Sequence, residues 1–218
     1  MDTGHVTRRT ALAILAGCAA FAALGPLRPA AAAAQRGLFG SLETRRDNPA
    51  RFPKWQGALD RYFTETQTVR QACSGSRCEL QQWQVFLDGL AGQAPMAQIE
   101  AVHTEMNRHR YIQDPINWNL PDYWASPGQF LARNGDCEDY GIVKFMSLRA
   151  LGVPSDRMRV VVLQDINLGV AHAVMSIEQA GRTLILDNQV SQVVPHETIR
   201  HYKPIYSVNE THWWLHRS

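Results

Sequence analysis

Residues 134–154 read NGDCEDYGIVKFMSLRALGVP and place one cysteine, Cys137, among three acids. The run YGIVKFMSLRALG is typical of a strongly apolar helix, and Gly152 and Pro154 are residues of the kind that close one. The helix would then begin close to Cys137. Neighbouring negative charges disfavour the thiolate, which is the nucleophilic form of cysteine. Either Cys137 is inert, or something neutralises its acidic neighbours.

The segments on the two sides of this helix differ in kind. Apolar residues recur at helical spacing upstream. The predicted upstream helices are residues 54–72, residues 79–91 and a third that opens at Pro95 and runs through Tyr111. Downstream, the segments MRVVVLQDI, HAVMSIEQ, RTLILDNQ and KPIYSVN are rich in Val, Ile and Leu and are predicted to be strands. Helices followed by strands predict an α+β domain, with an antiparallel sheet packed on the helix that begins at Cys137.

The N-terminus has the features of an export signal. Arg8 and Arg9 precede an apolar, Ala-rich run, and PAAAAAQ offers a cleavage site near Ala34. We therefore expect a signal peptide over residues 1–34 and a single domain over residues 35–218, which begins with a polar, Arg-rich extended arm at residues 35–54. Three alternatives remain open: a membrane anchor, a twin-arginine signal, and lipid attachment at Cys18 in the segment LAGC.

The charge of the expected mature chain gives no sign of a nucleic-acid partner. Removal of residues 1–34 takes Lys+Arg from 22 to 19 and Asp+Glu from 20 to 19, so the net charge falls from +2 to 0. The basic pI of the whole chain, about 8.4, comes from the leader. No basic surface of the kind that binds nucleic acid is predicted.

The chain has four cysteines, of which Cys18 leaves with the leader. Cys73 and Cys78 lie close together in CSGSRC, where Gly75 favours a turn, and in an oxidising compartment they are expected to form a disulfide. Cys137 is then unpaired. An odd thiol in an exported protein is either buried and inert or kept free for chemistry, and the count alone does not choose between them.

The strands HAVMSIE and TLILD are joined by the turn-like segment QAGR and form a predicted hairpin. A turn centred on Gln179 and Ala180 places His172 opposite Asp187, and a turn one residue later leaves them diagonal neighbours. Facing Cβ atoms lie about 4.5–5.5 Å apart in such a pair, so Asp187 could accept the imidazole N–H.

Cys137, His172 and Asp187 together have the residue types that acyl transfer needs. The start of a helix stabilises a thiolate and offers N–H groups to a developing oxyanion. A cysteine there, a histidine as base and a carboxylate that orients the base form a nucleophilic triad. Taken singly, each residue has a structural alternative: a core cysteine, a satisfied strand histidine or an aspartate that begins a turn.

The motifs NGDCEDYGIVKFMSLRALGVP, AHAVMSIE and TLILDNQ, with WASPGQFLARNGDCEDY and KPIYSVNETHWW, resemble the bacterial transglutaminase-like cysteine proteinases, the periplasmic LapG-type enzymes. The likeness covers the chain from about residue 100 onward. It implies a papain/transglutaminase-like core and a single cysteine protease domain over residues 35–218. By matching motifs, it also implies a catalytic triad of Cys137, His172 and Asp187.

The same resemblance implies Ca²⁺ beside the nucleophile, with Asp136, Glu138 and Asp139 as ligands. Carboxylates are the ligands that calcium prefers, and a bound cation reverses the local sign of charge next to the thiolate. The spacing does not match an EF-hand loop, so the pattern alone does not name the metal. The alternative is an acidic first helical turn that the helix dipole favours.

For function, the resemblance implies a calcium-dependent periplasmic endopeptidase. Its expected substrate is the N-terminal region of a large RTX-type surface adhesin, often cut at paired alanines, whose release disperses a biofilm. Its expected inhibitor is the periplasmic domain of an inner-membrane cyclic-di-GMP receptor. Two alternatives stay open: a transglutaminase or amide-forming acyltransferase with the same triad, and a catalytically silent binding module, against which the three intact residues argue.

Overall fold

The computed structural model describes residues 1–2, 37–68 and 76–217, and the strands in these ranges form one seven-stranded antiparallel sheet. The strand order across the sheet is β1-β7-β6-β2-β3-β4-β5. The strands are β1 Leu42–Asp47, β2 Met158–Asp165, β3 Val170–Gln179, β4 Arg182–Leu186, β5 Val194–Pro195, β6 Tyr202–Val208 and β7 His212–Arg217.

The helices precede the central strands in the chain, as the α+β prediction requires. They are α1 Pro53–Thr68, α2 Ser76–Leu90, α3 Pro95–Met106, α4 Asp114–Asn117, α5 Pro127–Arg133 and α6 Cys137–Ala150. Every residue of α6 from Tyr140 to Leu148 is buried. A helix that is enclosed on all sides loses its amphipathic stripe, and α6 packs on β2 and β3 on one side and on α3 and α5 on the other. The predicted packing of this helix on an antiparallel sheet is confirmed.

The structure corrects the prediction at two places. Part of the expected extended arm at residues 35–54 is strand β1, which pairs along its whole length with β7. Its side chains are almost all exposed, so it lacks the apolar alternation by which a strand is recognised. The third helix ends at Met106 instead of Tyr111, and Tyr111 forms a bridge with Gly135 beside the nucleophile loop.

The β3–β4 hairpin turns one residue later than the first of the two predicted positions. Gln179 pairs with Arg182, and the turn residues Ala180 and Gly181 have φ values of 50° and 74°. Two consecutive positive φ values define the turn that matches the twist of a tight hairpin. His172 and Asp187 are therefore diagonal neighbours and do not face each other directly.

Several predictions made from the sequence fall outside the described residues. The structure does not describe residues 3–36, which hold the expected signal peptide beyond its first two residues, including Arg8, Arg9 and Cys18. Cys73, the expected disulfide partner of Cys78, also lies outside the described residues. Among the described residues, none of the helices is long and apolar enough to cross a membrane. Cys78 is disulfide-bonded, whereas Cys137 is a free cysteine.

We predict that the mature protein carries one free thiol. Thiol titration of denatured, unreduced protein should give one thiol per chain, because Cys137 is free and Cys78 is not. The same titration after reduction serves as the control and should give three, because the expected mature chain keeps Cys73, Cys78 and Cys137. Three thiols before reduction would contradict the expected disulfide, and none would mean that Cys137 is blocked.

Candidate active site

The first turn of α6 fixes the position of Cys137. Cys137 is the first residue of the helix and Asp136 is its N-cap. The fully buried Asp139 accepts hydrogen bonds from two backbone N–H groups, that of Asp136 at 3.3 Å and that of Ala125 at 2.7 Å. Asp139 therefore ties the loop before Pro127 to the start of the helix.

Gly135 is required by the same carboxylate. A Cβ atom at residue 135 would lie 2.1 Å from Oδ2 of Asp139, well inside van der Waals contact. The close approach of backbone and carboxylate explains why glycine precedes the acidic cluster.

His172, near the start of β3, and Asp187, just past the end of β4, form a buried pair. His172 Nε2 lies 3.0 Å from Asp187 Oδ1. The carboxylate also accepts hydrogen bonds from the Gln189 backbone N–H at 2.9 Å and from the Tyr202 hydroxyl at 2.5 Å. Although burial alone would raise the pKa of the Asp187 carboxyl, the hydrogen bond and charge of His172 and the other donors lower it. An ionised Asp187 holds the proton of the imidazole on Nε2 and leaves Nδ1 as an acceptor.

Cys137 and His172 line one cavity of about 290 Å³, with Asp187 behind the imidazole. The remaining wall residues include Trp124 and Tyr206, which are aromatic, and Ala171 and Ala173, which have small side chains. The structure thus brings together the three residues that the sequence singles out, although they are separated by 35 and 15 positions in the chain.

Five acids cluster beside Cys137, and one of them, Asp122, is exposed and groups with Asp114 and Glu138. The predicted ligands Asp136, Glu138 and Asp139 are joined by Asp114 on α4, which is 1% exposed. The side chains of Asp114, Asp136 and Asp139 offer ligand atoms within 4.8 Å of one another, and Asp136, Cys137 and Glu138 form a second group of this kind. The sequence analysis missed Asp114 because it lies 22 positions before Asp136, and no spacing rule relates the two.

The pKa values of the acidic cluster and of the Cys137 thiol are raised. Burial raises the pKa of the Asp136 carboxyl to about 8, and the charge of Glu138 adds to the increase. Burial, followed by the charge of Asp139, raises the pKa of Glu138 to about 7. The pKa of the Cys137 thiol is also raised, first by burial and then by the charges of Glu138 and Asp136. With no cation, the thiol is held in its unreactive protonated form.

The unused oxygens in the cluster fit a hard divalent cation. Asp114 Oδ1 and Asp136 Oδ1 are buried and have no hydrogen-bond partner among the described residues. A buried carboxylate oxygen without a partner is costly unless a donor or a cation approaches it. Several carboxylates around one point are the donor set that Ca²⁺ prefers.

Comparison with known proteins places the chain in a family. Residues 66–217 match the family described as bacterial transglutaminase-like cysteine proteinase BTLCP. The structure resembles calcium-bound LapG of Legionella pneumophila, with 32% identity, a TM-score of 0.61, and 71% of this chain and 87% of that chain covered. It resembles the EGTA-treated form of the same protein with 31% identity, a TM-score of 0.62, and coverage of 72% and 86%. Among curated protein sequences, none matches the chain. The chain belongs to the bacterial transglutaminase-like cysteine proteinase family and is a cysteine protease.

Proposed function

We propose that this protein is a calcium-dependent periplasmic endopeptidase that cleaves the N-terminal region of a large RTX-type surface adhesin. One observation carries the catalytic part of the proposal. Cys137 at the start of a buried helix shares a cavity with His172, whose far ring nitrogen is bound by Asp187. These three residues are the proposed nucleophile, base and orienting carboxylate.

The geometry suits acyl transfer to water. His172 Nδ1 takes the thiol proton, and the Cys137 sulfur attacks the scissile carbonyl to form a tetrahedral oxyanion next to the N–H groups of the first turn of α6. The C–N bond then breaks, the imidazolium gives its proton to the leaving amine, and a thioester remains. His172 next removes a proton from water, which attacks the thioester; the C–S bond breaks, and the imidazolium returns its proton to the Cys137 sulfur. Asp187 keeps the imidazole in the correct tautomer throughout.

The acidic cluster is the proposed calcium site. Asp114 and Asp136 would contribute their unpartnered oxygens. Glu138 lies within 4.8 Å of each of them, although in two separate groups of candidate ligands. Both oxygens of Asp139 already accept backbone N–H groups, so Asp139 would take part through its second lone pairs. A bound Ca²⁺ supplies positive charge that favours the thiolate. Solved structures of the similar Legionella protein are described as calcium-bound and EGTA-treated, which supports calcium as the ion.

The proposed cleavage at paired alanines draws on the resemblance to the LapG-type enzymes. Ala171 and Ala173 give the cavity two small wall side chains, which leave room for a small substrate residue, among walls that also carry acids and aromatic rings. Adhesin release, biofilm dispersal, the periplasmic location and an inhibitory inner-membrane cyclic-di-GMP receptor are proposed on the resemblance to the LapG-type enzymes.

We predict that Cys137→Ala and His172→Ala each abolish cleavage and leave the fold intact. The first variant removes only the sulfur, and the second removes its proton acceptor. The assay is incubation with an N-terminal fragment of a large surface adhesin that carries a paired-alanine segment, with cleavage followed by gel and mass spectrometry. His212→Ala, a change on β7 outside the cavity, is the control and should cut normally.

The same assay separates hydrolysis from amide formation. Products with new N- and C-termini indicate an endopeptidase, whereas incorporation of an added fluorescent amine without chain cleavage would indicate a transglutaminase. Cleavage by the Cys137→Ala variant would show that the assignment of the nucleophile is wrong.

We predict that Asp187→Asn lowers kcat strongly because it destroys the tautomer control of His172. Loss of the equivalent carboxylate costs about 10⁴ in kcat in a serine protease triad. Steady-state kinetics on the cleaved fragment provide the measurement, and circular dichroism checks the fold. A rate close to that of the wild type would mean that Asp187 serves only to form the turn with Gln189.

We predict that EGTA abolishes cleavage, that Ca²⁺ restores it, and that Mg²⁺ restores it poorly because Mg²⁺ demands tighter octahedral geometry. Calcium should also raise the melting temperature, by the equivalent of about 2.7 kcal/mol of unfolding free energy at 100 times its Kd. Asp114→Asn should weaken calcium binding in calorimetric titration, whereas Asp60→Asn, on the exposed side of α1, should not. Full activity in EGTA together with no calcium uptake would refute the proposed site.

A further inference from the structure

The segment that carries Asp187 begins where the β ladder ends. The last pair between β3 and β4 is Met175 with Leu186, so the backbone from residue 187 onward receives no ladder hydrogen bonds from β3. Buried carbonyl groups need partners from elsewhere. Asp187 is itself fully buried, and the position of its carboxylate depends on how this short segment is held.

Side chains from the helical layer contact two carbonyl groups of this segment, those of Asp187 and Val190, and the carbonyl of Leu186 directly before it. Asn107, the residue after α3, donates its amide to the carbonyl of Asp187 at 3.0 Å and to that of Val190 at 3.3 Å. His103 on α3 contacts the Val190 carbonyl at 2.9 Å. Lys144 Nζ on α6 lies 3.5 Å from the Leu186 carbonyl oxygen, which is at the upper limit of a hydrogen bond.

Lys144 is difficult to explain by stability alone. It is fully buried in the middle of α6, where its amine also lies 5.6 Å from the centre of the Tyr140 ring. Burial lowers the pKa of this amine to about 7, and the charge of Asp187 opposes that decrease. Replacing a buried charge by an apolar side chain of similar size is often neutral or stabilising. An amine kept at this depth, 3.5 Å from the Leu186 carbonyl next to the Asp187 segment, therefore points to a role in the site.

We propose that Lys144 and Asn107 are positioning residues that hold the Asp187 segment so that its carboxylate meets His172. The inference rests on the proposed role of Asp187 as the orienting residue of the triad. The connection runs from the two side chains to the carbonyls of residues 186 and 187, from there to the Asp187 carboxylate, and then to Nε2 of His172. Neither residue touches the substrate cavity, so both act through Asp187 and not on the reacting atoms.

The expected size of the effect follows from how sharply catalysis depends on geometry. A misplacement of about 1 Å in a catalytic group can cost on the order of 100-fold in rate. Asp187 keeps its contacts with Gln189 and Tyr202 in either variant, so we expect a partial loss of about tenfold rather than complete inactivity.

The test uses Lys144→Met and Asn107→Leu, which preserve volume and remove the donors. The readout is the rate at which iodoacetamide alkylates Cys137 at neutral pH with calcium present, since this rate reports how well His172 supports the thiolate and needs no substrate. Melting temperature is measured in parallel. We expect about tenfold slower alkylation in both variants, with the melting temperature of Lys144→Met unchanged or raised.

Ser147→Ala is the matched control from the same helix. Its hydroxyl accepts the indole N–H of Trp83 at 2.9 Å and makes no contact with the Asp187 segment. The change should lower the melting temperature, because it leaves a buried donor unpaired, while alkylation stays within about twofold of wild type. Equal slowing in Ser147→Ala would point to general loosening of the core and would overturn the proposal.

The outcomes also separate this inference from the proposed function. Wild-type alkylation in both Lys144→Met and Asn107→Leu, with slow alkylation in Asp187→Asn, overturns the positioning role and leaves the triad standing. Wild-type alkylation in Asp187→Asn overturns both, since Asp187 would then have no influence on the thiol.

Discussion

The burial of α6 from Asp139 to Leu148 is the constraint on which the rest of the structure depends. The helix is enclosed by β2 and β3 on one side and by α3 and α5 on the other, and this packing sets the position of its first residue against the sheet. That residue is Cys137, and β3 carries His172 into the same cavity. The packing of this apolar helix thus places the Cys137 thiol in the same cavity as the His172 imidazole.

The same burial creates a charge problem at the first turn of α6. Asp136, Glu138 and Asp139 surround the thiol, and their carboxyl groups have raised pKa values mainly because they are removed from water. The carboxylate of Asp139 is stabilised by hydrogen bonds from backbone N–H groups. Asp114 and Asp136, in contrast, each retain one oxygen with no hydrogen-bond partner among the described residues. In the proposed function a divalent cation compensates the excess negative charge, which links activation of the nucleophile to a ligand that can be supplied or withdrawn.

The sequence predicted most of what depends on local pattern and less of what depends on the meeting of distant segments. The pairing of His172 with Asp187 survived a one-residue error in the turn, because diagonal neighbours in a hairpin remain within reach of a hydrogen bond. Strand β1 was missed because an exposed edge strand has no apolar face. Asp114, Asn107 and Lys144 acquire their importance from contacts across the core, and no spacing in the chain encodes such contacts.

The central claim is that a cation converts an acid-surrounded, unreactive thiol into a nucleophile. It is tested most directly by the apparent pKa of the Cys137 thiol, measured from the pH dependence of iodoacetamide alkylation of the mature protein in calcium and in EGTA. The account predicts a pKa well below the ordinary range for cysteine in calcium and well above it in EGTA, since burial and the charges of Glu138 and Asp136 raise it when they are uncompensated. An identical pH dependence in calcium and in EGTA would contradict the account.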